Sequence, residues 1–264
     1  ATTLDNSGTI TSAGHGIMVG GDVGSFTNSG TITTTGGENT AAVRVLGKVT
    51  GSVLNSGTVS SNAGGVELIG AVAGDVTNTG KIEAVSTGLA FVGAGTGNLV
   101  NSGTIVATES AALQVGGSIK DITNSGTISG TAGVMVFGEV TGDLTNSGTI
   151  TATGADGGIN VSGSVAGAVA NSGTITAAGS GVIVSGSVGG DLTNSGTISG
   201  KTGGVVVEGD VGAISNSGTI TAAEAVALGV IGKAKSFDNS GKIAGVNGVA
   251  LLNEVSGSVV NSGT

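Results

Sequence analysis

The side chains that carry acid–base and nucleophilic chemistry in most enzymes are scarce in this chain. Its 264 residues include one histidine, His15, one arginine, Arg44, and no cysteine. A catalytic site needs titratable groups that converge in a pocket, and the sequence shows no such group of acids and bases together. We therefore expect a non-enzymatic protein with no catalytic residues and no cofactor.

A recurring aspartate is the most regular titratable feature. Asp75, Asp121, Asp143 and Asp191 each stand three residues before a repeated asparagine, and Asn98 takes the same place in one repeat. Carboxylates stacked one repeat apart repel each other, and Ca²⁺ could bridge them because it prefers oxygen ligands. A solvated acidic edge is the favoured interpretation, since exposed and screened charges cost little in water, so we expect no metal site. The spacing differs from the nonapeptide calcium repeat.

The repeated asparagine opens an Asn-Ser-Gly-Thr-Ile motif that runs through the whole chain. The motif first appears at residues 6–10, and successive asparagines follow at steps of 22 to 27 residues, mostly 22 or 23. The asparagines are Asn6, Asn28, Asn55, Asn78, Asn101, Asn124, Asn146, Asn171, Asn194, Asn216, Asn239 and Asn261. A fixed period of this size is typical of a stacked repeat protein.

Each repeat holds three short apolar segments separated by glycine-rich turns. Residues 171–193 illustrate the pattern, with β-branched or alternating apolar positions that predict strands. One coil alone cannot bury so few apolar side chains, whereas stacked coils bury them as columns. The sequence therefore predicts an all-β parallel β-solenoid with three short strands per coil of about 22–23 residues. Residues 1–264 would form one repeat domain of about eleven coils, about 50 Å long.

The asparagines are predicted to form a structural ladder. A buried asparagine needs hydrogen-bond partners for both ends of its amide. At one corner of every coil it can pair with the asparagines above and below, as in stacked asparagine ladders. A ligand-binding role is the weaker interpretation, because a ligand site rarely needs every coil.

An apolar stripe is predicted on the outer surface. If Val45 and its equivalents point inward, alternation places their neighbours outward. The predicted contact stripe consists of Leu46, Ile69, Val92, Met135 and Phe137. Contiguous exposed apolar surface can mark an interaction site. The slightly favoured alternative is that the strand turns a corner there and these side chains tuck in or lie under the inserted segment 34–40.

A threonine face offers a second surface feature. Thr-x-Thr pairs flank the first-strand isoleucine at 9/11, 31/33, 149/151, 174/176 and 219/221, and Lys81 and Glu83 interrupt the series. Regular threonine arrays resemble those of ice-binding solenoids. Threonine is also a good exposed strand residue, so ice binding is the less favoured hypothesis.

The charge and the apolar pattern of the chain argue against two classes of partner, nucleic acids and membranes. The net charge is −9, and the eight basic residues are scattered over the repeats. Nucleic-acid binding typically uses a clustered basic surface with stacking aromatics, so we expect no nucleic-acid partner. No stretch approaches the roughly 18 consecutive apolar residues of a membrane span.

The repeats resemble the passenger and stalk regions of Gram-negative autotransporter-type surface proteins. The resemblance rests on motifs such as Asn124-Ser125-Gly126-Thr127-Ile128 and covers the whole chain. It implies a right-handed β-helix that is exported to the bacterial cell surface or the medium. The same coil serves adhesins, spacers and enzyme carriers, so the resemblance is specific for fold and loose for function.

Together these observations favour an extracellular structural rod or adhesin stalk that displays or spaces binding surface. The alternative is a self-assembling fibre subunit, because coils without caps present unpaired strands for end-to-end addition. The expected partners are other copies of the chain, joined end to end or laterally, or a host or cell-surface ligand that the sequence does not identify.

Overall fold

The computed structural model describes residues 2–264, and this part of the chain consists of strands and turns without a helix. Thirty-four strands form three sheets of twelve, eleven and eleven strands. All the pairings between successive coils are parallel, and each coil contributes one strand to each sheet. The predicted parallel β-solenoid of about eleven coils, with three strands per coil, is confirmed.

We name the sheets after their characteristic residues. The asparagine sheet contains Thr3–Asn6, Ser25–Asn28, Val53–Asn55, Val76–Asn78, Leu99–Asn101, Ile122–Asn124, Leu144–Asn146, Val169–Asn171, Leu192–Asn194, Val211–Asn216, Ala234–Asn239 and Val259–Asn261. The threonine sheet contains Thr9–Ser12, Thr31–Thr34, Thr58–Ser61, Lys81–Ala84, Thr104–Ala107, Thr127–Gly130, Thr149–Ala152, Thr174–Ala177, Thr197–Gly200, Thr219–Ala222 and Lys242–Ala244. The valine sheet contains Ile17–Val19, Ala41–Val45, Gly64–Leu68, Leu89–Phe91, Ala111–Val115, Ala132–Val136, Ile159–Val161, Ser180–Val184, Gly203–Val207, Val226–Val230 and Asn247–Leu251.

The pairing register stacks equivalent residues of the repeat. Ile105 pairs with Ile128, and Ile128 pairs with Ile150, so the isoleucine of the repeated motif forms one continuous column. Side chains alternate between the two faces of a strand, so this register sends one set of residues inward in every coil. The solenoid interior is therefore a bundle of apolar columns.

The apolar columns form one continuous core along the rod. Phe26 and Phe91 are fully buried, and Phe237 is 3% exposed. These three phenylalanines take inward positions that valine, leucine or isoleucine fills in other coils.

No helix within residues 2–264 is long and apolar enough to cross a membrane.

Glycine is required where the Asn-Ser-Gly turns stack. A β-carbon on Gly126 would collide with the carbonyl oxygen of Gly103 in the preceding coil. The same contact recurs along the rod, because each turn packs directly on the backbone of the one before it. The glycine of the motif is therefore a packing requirement between coils.

Two longer coils place their extra residues at the same corner. The segment 35–40 joins Thr31–Thr34 to Ala41–Val45, and the segment 153–158 joins Thr149–Ala152 to Ile159–Val161. Both contain a residue with positive φ, Asn39 at 63° and Gly157 at 94°. The insertions extend from the edge between the threonine and valine sheets without disturbing the pairing register.

Candidate functional site

The asparagine side chains form an unbroken hydrogen-bonded chain along the rod. From Asn6 to Asn239, each Nδ2 donates to the Oδ1 of the asparagine in the next coil, at 2.7 or 2.8 Å, and Asn261 is the last acceptor. Asn101 is fully buried, and the asparagines from Asn6 to Asn239 are at most 8% exposed. The side-chain amides are therefore hydrogen-bonded to one another along the whole ladder.

The remaining capacity of each amide is used by turn backbone. The Nδ2 of Asn101 also lies 3.3 Å from the carbonyl oxygens of Gly103 and Thr127. The main-chain oxygen of Asn101 accepts from the N–H groups of Ser125 and Gly126 at 2.8 and 3.1 Å. A buried polar group costs free energy unless it has a partner, and here both the side chain and the main chain of the asparagine are paired.

The aspartates of the predicted acidic edge accept hydrogen bonds from backbone. Asp75 Oδ1 accepts from the N–H of Asn98, and Asp121 Oδ1 accepts from the N–H of Asp143, both at 2.8 Å. In the same way, Asp143 Oδ1 accepts from the N–H of Ala168, and Asp191 Oδ1 accepts from the N–H of Ala213. These carboxylates thus pair with corner amides of the next coil. Within residues 2–264 no three His, Cys, Asp or Glu side chains are grouped so that they could hold a metal ion.

His15 takes a structural position at the start of a strand. Its Nδ1 accepts a hydrogen bond from the N–H of Ala41 at 3.0 Å, where the valine-sheet strand of the next coil begins. This contact joins the first coil to the residue that directly follows the inserted segment 35–40.

Arg44 joins the inserted segment to the next coil. Its Nε lies 3.1 Å from Glu67 Oε2, and its Nη1 donates to the carbonyl oxygen of Asn39 at 3.3 Å. An open groove of about 470 Å³ lies beside this ion pair, and its lining includes Glu38, Asn62 and Glu109. The groove is polar and carries more acidic than basic groups.

The threonine sheet presents a regular polar column outward. Nine of its eleven strands begin with threonine, and Lys81 and Lys242 begin the other two. Lys81 Nζ forms an ion pair with Glu83 Oε2 at 2.7 Å, which places two charges in the middle of this face. The uninterrupted series of outward threonines covers six successive coils, from Thr104 to Thr219.

The predicted contact stripe lies where the valine-sheet strands end. Leu46, Val92 and Phe137 directly follow the inward residues Val45, Phe91 and Val136, and they are 39%, 45% and 49% exposed. Ile69 is half-buried in the same column. We call the six successive residues Gly20, Leu46, Ile69, Val92, Gly116 and Phe137 the contact column; each follows the last residue of one strand of the valine sheet.

Met135 belongs to a neighbouring column, two residues earlier in each coil. In coil order this flanking column consists of Met18, Arg44, Glu67, Ala90, Gln114 and Met135. Met135 is half-buried, whereas Met18 is 57% exposed. Sequence reasoning missed Met18, although its alternation with Ile17 and Val19 carried the same signal.

Comparisons of the chain with protein-family models, with curated proteins and with solved structures found no match. The resemblance to autotransporter-type surface proteins therefore rests on the repeated motif and on the β-helical architecture.

Proposed function

We propose that this chain is a non-enzymatic structural rod that spaces or displays binding surface outside the cell, as the stalk of an adhesin does. The observation that carries the proposal is the continuity of the asparagine ladder and of the three sheets through every coil. Each coil contacts its neighbours through parallel backbone pairing, a packed core and a side-chain hydrogen bond. Such an arrangement favours a stiff body whose length is set by the number of coils.

The repeated motif supports a place at the bacterial cell surface or in the medium. Asn-Ser-Gly-Thr-Ile coils resemble the β-helical stalks of autotransporter-type proteins, whose passenger regions are exported. Protease treatment of intact Gram-negative cells that make the full-length protein would test this location. Degradation of the rod in intact cells supports it, and protection until lysis contradicts it.

Electron microscopy of the purified chain tests the rod itself. We expect discrete, straight particles about 50 Å long, because eleven coils each rise by about 4.8 Å. Round or collapsed particles would contradict the proposal. Long filaments that grow with protein concentration would instead favour the alternative, end-to-end assembly of fibre subunits.

Ice binding is a second candidate, favoured by the regular threonine column between Thr104 and Thr219. Thermal hysteresis of the purified chain is the measurement, and Thr174→Lys is the informative variant because it breaks the longest uninterrupted stretch. Hysteresis that this substitution abolishes would favour ice binding. If ice grows at the melting point in a solution of the unmodified chain, there is no thermal hysteresis and the ice-binding hypothesis is wrong.

A further inference from the structure

The open groove beside the inserted segment 35–40 lies on the corner between the threonine and valine sheets. Its lining starts at Glu38 in that segment and continues through Asn62, Ser86 and Glu109, which belong to the three following coils. Each of these coils has a neighbouring coil on both sides. The volume of about 470 Å³ falls within the range of about 300–1,000 Å³ that is typical of small-molecule sites. We call this feature the corner groove.

The solenoid does not need the inserted segment that forms one wall of the corner groove. Eleven positions separate Asn55 from Val66, whereas fifteen separate Asn28 from Val43. Val43 nevertheless pairs with Val66 in the valine sheet, so the four additional residues contribute nothing to the pairing of the coils. Binding functions are often carried by such loops on a rigid scaffold.

The inserted segment is held in place by the only histidine and the only arginine of the chain. His15 Nδ1 accepts from the N–H of Ala41 at 3.0 Å, directly after the segment, and Arg44 Nη1 donates to the carbonyl oxygen of Asn39 at 3.3 Å, within it. A wall that is fixed before a ligand arrives lowers the ordering cost of binding. The corner groove is therefore a preformed feature.

The hydrogen-bonding groups of the corner groove are not saturated by the protein. The Nε of Arg44 is buried and makes no hydrogen bond, although Glu67 Oε2 lies 3.1 Å away. Within residues 2–264 only one other buried side-chain polar atom lacks a hydrogen-bond partner, and such a group in a folded protein calls for an explanation. Glu38 and Glu109 are exposed and form no ion pair among the described residues. The groove thus offers a guanidinium donor and carboxylate acceptors side by side.

We propose that the corner groove binds an uncharged oligosaccharide. A sugar hydroxyl both donates and accepts hydrogen bonds, so one ligand can donate to Glu38 and Glu109 and accept from the guanidinium of Arg44. An anionic ligand would meet three glutamates against one arginine, and a ligand with only cationic donors would be repelled by Arg44. The lining comes from four successive coils, which span three rises of about 4.8 Å, so the groove is longer than one sugar ring.

The binding should be weak, because the corner groove is open. No aromatic side chain among residues 2–264 lines it, and each hydrogen bond to a sugar replaces one to water and contributes little net free energy. We therefore expect a dissociation constant of about 1 mM. This inference goes beyond the structural rod proposed above, because it assigns a ligand to one corner of that rod.

Saturation-transfer NMR on the unmodified chain tests the ligand class. The probes are three neutral trisaccharides, maltotriose, cellotriose and mannotriose, together with the cationic trimer of glucosamine and the anionic trimer of galacturonate. We expect at least one neutral probe to bind at about 1 mM and both charged probes to bind at least about fivefold more weakly. The proposal is overturned if no neutral probe binds below about 20 mM. Tighter binding of the glucosamine trimer than of every neutral probe would also overturn it, since the groove would then be an acidic surface only.

Two deletions test whether the inserted segment forms the site. Deletion of residues 36–39 leaves eleven positions between Asn28 and Val43, and deletion of residues 155–156 leaves eleven between Asn146 and Ile159 in the other long coil. Circular dichroism should show that both variants keep their strands. We expect the first deletion to weaken binding of the neutral probe at least about tenfold and the second to leave it within about twofold. Undiminished binding after the first deletion would refute the site.

Single substitutions test the side chains. Glu109→Ala removes an exposed acceptor of the corner groove, and we expect it to weaken binding at least about threefold. Glu208→Ala is the matched control, because Glu208 is equally exposed and lies outside the groove. Equal effects of the two substitutions would count against the assignment. Straight rods in electron microscopy that bind none of the neutral probes would leave the structural rod intact while refuting the saccharide site.

Discussion

At the scale of single residues, the asparagine ladder makes the clearest prediction about stability. Asn124→Ala leaves the buried Nδ2 of Asn101 and Oδ1 of Asn146 without their ladder partners. Each orphaned buried group costs about 1–3 kcal/mol, so for the two groups together we expect the free energy of unfolding to fall by about 2–6 kcal/mol. The measurement is urea denaturation followed by circular dichroism.

Thr127→Ala is the matched control for the ladder, because Thr127 is exposed and lies three residues further along the same turn. We expect its unfolding free energy to change by less than about 0.5 kcal/mol. Equal losses in the two variants would show that the ladder contributes nothing beyond the ordinary cost of a substitution.

The two kinds of glycine should respond differently to the same change. Gly126→Ala forces a β-carbon into the carbonyl oxygen of Gly103, so adjacent coils must separate. Gly116→Ala meets only ordinary contacts and removes backbone freedom from the unfolded chain. We expect Gly126→Ala to destabilise the rod by more than about 2 kcal/mol and Gly116→Ala to leave it within about 1 kcal/mol. Thermal or urea unfolding compares them, and the reverse order would contradict the packing account.

At the scale of elements, the edge of the valine sheet separates core from contact surface. Leu46→Asp combined with Ile69→Asp adds two charges to the contact column and should abolish lateral association. The fold should persist, because the inward neighbours Val45 and Leu68 are untouched. Sedimentation measures the association, and circular dichroism measures the fold. If the double variant unfolds, these side chains belong to the core and the contact column is wrong.

The repeated elements explain why the fold could be predicted while parts of the surface could not. Period-two alternation around Ile128 and the 22- or 23-residue spacing of the asparagines specify which residues stack, so strand number and pairing follow directly. The hydrogen bond from Asn98 N–H to Asp75 depends on how one corner sits above another. Likewise, the contact of His15 with Ala41 depends on the path of the inserted segment. No local pattern encodes either contact, nor the free space around Gly116.

At the scale of the whole molecule, the coils should behave as interchangeable units. Deletion of residues 171–193 removes one complete repeat and brings Asn146 next to Asn194, so the ladder and all three sheets can close. We expect a folded rod shorter by about 4.8 Å. Because stability in stacked repeats is a sum of units and interfaces, its unfolding free energy should fall modestly.

Deletion of residues 171–181 is the matched control for the whole-coil deletion, since it removes half a coil and breaks the register. We expect this shorter deletion to lose far more circular dichroism signal and to aggregate. Small-angle scattering gives the rod length of both variants. If the two deletions are equally harmful, the coils are not independent units.

The uniform direction of the asparagine hydrogen bonds gives the rod an electrical polarity. Every side-chain amide donates toward higher residue numbers, so eleven such bonds point the same way. An amide dipole is about 3.5 D, so the aligned set sums to at most about 40 D along the axis. A single rod would carry this contribution with a definite sense. Rods joined head to tail would add their contributions, whereas rods side by side in antiparallel orientation would cancel them, so electric birefringence distinguishes these two arrangements.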